Sequence, residues 1–114
     1  MSTVTEPDAS RDAALAILPL PSLDGLSEHQ VRGVTCVWDG ITLSELVAVD
    51  LGPRIGKRAG APFRWFPRGC RRCTGRKAYR ALFDHAPDCD ECRTTASGCA
   101  LGRALNRLAL AGGR

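Results

Sequence analysis

The hydrophobic pattern changes rhythm along the chain. From Val31, "VRGVTCVW" is β-branched and aromatic up to the turn signal Asp39-Gly40, and "ITLSELVAVDLG" continues as a second extended run closed by Gly52-Pro53. "RIGKRAGAP" carries too much Gly, Pro and charge for regular structure and reads as a loop. "FRWFP" then reads as a short strand ended by Pro67. After "RGCRRCTG" the helical period takes over. In "RKAYRALFDHA", Ala78, Ala81, Leu82 and His85 share one helical face, with Tyr79 and Phe83 beside it, and Pro87 stops the helix. A short Cys-bearing turn leads into "CALGRALNRLAL", a second helix with Leu101, Ala104, Leu105 and Leu108 on its stripe.

Residues 1–28 are polar and acidic and are interrupted by Pro7, Pro19 and Pro21. They read as a flexible arm in which "DAALAIL" forms at most a short helix. The pattern therefore predicts an α+β chain, with the arm over 1–28 and one small domain over 29–114. In 114 residues with 12 Gly, 7 Pro and 5% aromatics the core is thin, and a domain of that kind needs a metal or a disulfide to hold it.

Cysteine usage decides between those two. The first 20 residues carry Glu6, Asp8 and Asp12 before a short apolar patch and do not resemble a secretory signal. No apolar run approaches the 18 or so residues that span a bilayer. The expectation is a cytoplasmic protein without membrane attachment, where disulfides are disfavoured and six Cys read first as metal ligands.

The eight candidate ligands form two sets of four. His85-x3-Cys89-x2-Cys92 lets a helical His and two turn sulfurs converge on one ion, and Cys99 at the head of the last helix closes a Cys3His shell, with Cys73 the competitor for that place. Cys36-x2-Asp39-Gly40 has the form of a zinc knuckle, and Cys70-x2-Cys73 lies where a following helix opens. Knuckle, hairpin and helix-borne ligand pair together make a treble-clef or zinc-ribbon-like arrangement, followed here by two short helices. Asp39 is either a carboxylate ligand in a Cys3Asp site or simply the first residue of an Asp-Gly turn. One or two Zn2+ are expected. His29 lies in neither set and reads as exposed.

"CVWDG", "AVDLGPR", "WFPRGCRRC", "AYRALFDHAPDC" and "GRALNRL" together resemble a group of small actinobacterial zinc-binding proteins, over about residues 31–108. The resemblance implies two zinc-type sites. The group's knuckle reads Cys-Val-Trp-Cys-Gly, and this chain has Asp39 at the second Cys. "ALFDHAPDCDEC" is similar to the signature of zinc-binding anti-sigma factors, which implies a protein partner in transcription. Cys73, Cys89, Cys92 and Cys99 also resemble the ligand order of the WhiB-type iron–sulfur regulators. That comparison implies a redox cluster, but it leaves His85 unexplained and lacks the glycine–tryptophan turn.

Charge adds the last element. The net charge is +4, yet no acidic residue lies between Asp50 and Asp84, an interval that holds ten Arg and Lys. Arg64, Arg68, Arg71, Arg72, Arg76, Lys77 and Arg80 are the candidate nucleic-acid contacts, supplying salt-dependent phosphate affinity. Trp65 and Phe66 read as core rather than as base-stacking residues. Basic residues also offset the negative charge of thiolate sites, and 14 Arg against 2 Lys is what a GC-rich coding bias produces. No Ser-His-Asp set, phosphate-cradling Gly loop or paired catalytic carboxylates are found, and a closed Cys3His shell has no open position for catalysis. The expectation is a non-enzymatic, zinc-binding regulator that contacts DNA or a transcription component. The alternatives are a zinc-held protein adaptor and, after it, an iron–sulfur redox regulator.

Overall fold

The structure, a computed structural model, describes residues 9–96 and 98–112. It is a mixed helix-and-sheet fold with two small antiparallel pairs. Its centre is a helix pair. Helix α3 spans Arg71–His85 and α5 spans Ala100–Gly112. They run antiparallel: a Cβ at Gly75 would lie 2.9 Å from the Gly112 Cα, and one at Gly102 would lie 3.8 Å from Leu82 Cδ1. Gly75 and Gly112 thus let the two backbones approach where any side chain would force them apart. With Leu105 and Leu108 of α5, the buried Leu18, Val37, Leu51 and Trp65 complete the core beside this pair.

The flexible arm expected over 1–28 is corrected from Ala9 onward; residues 1–8 lie outside the described residues. Helix α1, Ala9–Ala16, buries Ala14 and Leu15, Leu18 follows at 1% exposure, and the helix packs on α5. Burying each Leu contributes about 1.5–3 kcal/mol, which holds a helix that at 8 residues would be marginal alone. Its last carbonyls are satisfied from far along the chain. Arg54 Nη2 donates to the Leu15 carbonyl at 2.6 Å and Arg54 Nη1 to that of Leu18 at 3.3 Å. Trp38 Nε1 donates to the Pro19 carbonyl at 3.0 Å.

The extended run from Val31 is also corrected. Helix α2, Glu28–Val31, ends there, held by a capping box in which Ser27 Oγ accepts from the Gln30 N–H and Gln30 Oε1 accepts from the Ser27 N–H. Residues 34–43 then form a tight knuckle rather than a strand, joined by a single bridge between Thr35 and Thr42. Of the second run only β1, Val49–Asp50, is strand, paired antiparallel with β4, Arg68–Gly69.

The loop expected at "RIGKRAGAP" is instead a hairpin. Strand β2, Arg54–Arg58, pairs with β3, Ala61–Trp65, across the turn residues Ala59 (φ 52°) and Gly60 (φ 81°). Positive φ at both turn positions is the type I′ geometry that matches strand twist. Its half-buried positions are Arg54, Gly56 and Arg58, so the usual apolar alternation is missing. Gly56 lies over Leu23, whose Cδ1 would be 2.7 Å from a Cβ there, and Arg58 pairs with Glu28 at 2.8 Å while stacking on Phe63. The expected strand at "FRWFP" does form the end of β3, and Trp65 is core. Phe66, expected to be core, is 55% exposed. The last helix forms as expected, and α3 opens at Arg71, where the Cys70 pair was expected to start a helix, and ends at His85 before Pro87. No described helix is long and apolar enough to cross a membrane.

Candidate metal centres

Each of the two predicted ligand sets comes together in space. Within each set one ligand atom per residue lies within 4.8 Å of every other, so either cluster could hold a metal ion. None of the six Cys is in a disulfide.

The first set joins the knuckle to α3. The Cys36 N–H donates to the Ile41 carbonyl at 2.8 Å and the Gly40 N–H to the Cys36 carbonyl at 2.9 Å, closing a turn that Gly40 enters at φ 76°. That turn aims Asp39 at the helix. Asp39 Oδ1 accepts the Ile41 N–H at 3.1 Å, leaving Oδ2 3.3 Å from Cys73 Sγ and 3.8 Å from Cys70 Sγ. Cys70 caps α3, its Sγ accepting the Cys73 N–H at 3.4 Å. Asp39 is therefore both things the sequence allowed, a turn former through one oxygen and a converging donor through the other.

Electrostatics follow from that geometry. Burial pushes the thiols of Cys36 and Cys73 upward, and for Cys73 the neighbouring Cys70 and Asp39 add to the rise. Burial alone would raise the Asp39 carboxyl, but the Ile41 N–H and the surrounding thiols hold it below the usual value. In this geometry the Cys70 and Cys73 thiols point at the Asp39 carboxylate. A cation among them would take over the role of those protons.

The second set joins the C-terminal helices. His85 ends α3, Cys89 precedes the short helix α4 (Asp90–Thr94), Cys92 lies within it, and Cys99 precedes α5. His85 Nε2 and Cys99 Sγ are 3.2 Å apart, and Cys92 Sγ and Cys99 Sγ are 3.5 Å apart. Cys99 Sγ also accepts the Gly102 N–H at 3.2 Å. That bond, and then the His85 ring, bring the Cys99 thiol down to about 6. A Cβ at Gly102 would lie 3.0 Å from Cys92 Sγ, so the glycine makes room for the cluster against the first turn of α5. Cys73, the competitor for the fourth place, lies with Asp39 instead, and His29 is exposed and in neither cluster.

The candidate nucleic-acid contacts divide. Arg64, Arg68, Arg71, Arg72, Arg76 and Arg80 are exposed, whereas Lys77 is half-buried with Nζ 5.9 Å from the Trp38 ring centroid. Arg64 lies 5.5 Å over Phe66, and Arg80 pairs with Asp84 at 3.8 Å. Arg54 and Arg58, from the same basic run, are structural. One feature had no signal in the sequence: a cleft of about 740 Å³ between the two clusters, with Ile17, Pro19 and Trp38 on one side and Lys77, Arg80 and Asp84 of α3 on the other. Ile17 and Pro19 of its first wall belong to the segment read as an arm, so local pattern could not place it.

No family model matches the chain, and neither the curated proteins nor the solved structures contain a match.

Proposed function

We propose that both clusters bind Zn2+ and that the chain is a small zinc-held regulatory protein contacting DNA or a transcription component through its arginine-rich surface. Donor chemistry supports zinc over an iron–sulfur cluster. One set contains His and the other Asp, whereas clusters favour all-thiolate shells, and the Cys73, Cys89, Cys92, Cys99 combination is divided between the two sets. Knuckle, hairpin β2–β3 and the ligand-bearing start of α3 follow the treble-clef order, with α3 carrying ligands of both sites at its two ends. Four donors per ion leave no open position, which favours a binding protein over an enzyme.

The observation that carries the nucleic-acid reading is the outer side of α3. Arg71, Arg72, Arg76 and Arg80 are all exposed there, and the helix has no acidic residue before Asp84. A rigid, metal-anchored helix with that surface holds guanidiniums at fixed spacing for phosphates. Anisotropy of a labelled DNA oligomer against salt tests it. Affinity should fall steeply with salt and vanish when Arg71, Arg72 and Arg76 are changed to Glu; affinity indifferent to salt and to those changes would refute it.

A further inference from the structure

The outward stripe of α3 bears more than charge. Arg72, Arg76, Tyr79 and Phe83 are spaced four, three and four residues apart and fall within an arc of about 60° on the helix. The helix buries its other side, Thr74, Gly75 and Ala78. Tyr79 is 56% exposed and Phe83 59%, and their rings meet edge to face at 4.9 Å. Core packing therefore does not account for them. The chain has only six aromatic residues, and three of them, Phe66, Tyr79 and Phe83, stand more than half exposed inside the interval that lacks acids. Among the described residues, Arg72 and Arg76 take part in no ion pair.

We propose that this stripe binds single-stranded nucleic acid, with bases stacked on Tyr79 and Phe83 and phosphates on Arg72 and Arg76. The inference rests on the nucleic-acid reading above and specifies its substrate class. Phosphate contact alone would need only the arginines. The exposed rings add a π-face for each base, the pairing of basic track and aromatic platform that single strands require. A duplex keeps its base faces inside the stack and offers the rings nothing to meet. An apolar protein partner would look for aliphatic neighbours on the stripe, and the neighbours here are guanidiniums, complementary to a polyanion.

Anisotropy with the metal-loaded full chain separates these cases, using labelled oligothymidylate and a duplex of equal length at matched salt. The single strand should bind more tightly. Tyr79→Ala and Phe83→Ala should each weaken it by roughly five- to hundredfold while leaving the salt slope unchanged. Phe83→Trp should retain binding, whereas Phe83→Leu, which keeps bulk without a π-face, should not. Arg72→Gln and Arg76→Gln should flatten the salt slope. Circular dichroism should show all variants folded, because the substituted side chains are exposed. Wild-type affinity in both aromatic variants, or a preference for duplex, overturns the single-strand proposal while leaving the basic-surface reading standing. Absence of salt-dependent binding to either form overturns both and assigns the stripe to a protein partner.

Discussion

At the scale of single residues, Asp39 and the close-packed glycines bear the most weight. Asp39 is pinned by the Ile41 N–H, so its free oxygen converges on Cys70 and Cys73 without a search through rotamers. Asp39→Cys should give a four-thiolate site that keeps its metal at chelator concentrations that strip the parent, read by a chromogenic chelator. Gly69 lies under Trp38, where a Cβ would sit 2.6 Å from the Trp38 Cζ3 and 2.8 Å from Thr74 Oγ1. Gly69→Ala should therefore cost about 1–3 kcal/mol through forced shifts at both neighbours, measurable in thermal melts of the metal-loaded protein. His85-x3-Cys89-x2-Cys92 was legible in the sequence because its convergence needs only a helix end and a turn. The double role of Asp39 was not, since it depends on where Cys70 and Cys73 arrive from more than thirty residues away.

At the scale of elements, α3 and α5 were readable from their stripes, and the metal sets from spacing. The hairpin was not, and α1 only as a possible short helix in "DAALAIL" with no sign of its packing, for the same physical reason. Their stabilising contacts are long-range and made by residues of the wrong type for pattern recognition: Arg54 of β2 holds the end of α1 across 39 residues, and Gly56 receives Leu23. Ala14 and Leu15 show no helical stripe until α5 covers them. Leu18→Ala should consequently destabilise the protein by about 2–5 kcal/mol in denaturant titrations, as for any fully buried Leu; a cost near zero would return this segment to a flexible arm. If both proposed ions are bound, the elements depend on them as well. A structural zinc contributes about 10–16 kcal/mol, as much as or more than the roughly 5–15 kcal/mol by which a domain is stable. Chelation should then collapse the far-ultraviolet helix signal cooperatively, and re-addition of zinc should restore it.

At the scale of the whole molecule, the two clusters lie at opposite ends of α3, where the proposed ions would fix the helix at both ends, and its outer side is left to solvent. A fully loaded Cys3Asp site carries net charge of −2 and a Cys3His site −1, so part of the arginine surplus balances the centres themselves. The exposed stripe beyond them is the surface proposed above to bind nucleic acid. Everything proposed for that surface presupposes the two ions, and metal content is the most direct test. Protein purified without oxygen or affinity nickel should contain two zinc per chain by mass spectrometry, falling to one in Asp39→Ala and to one in His85→Ala. Iron with visible charge-transfer absorption, or a zinc content that Asp39→Ala leaves unchanged, would contradict the account.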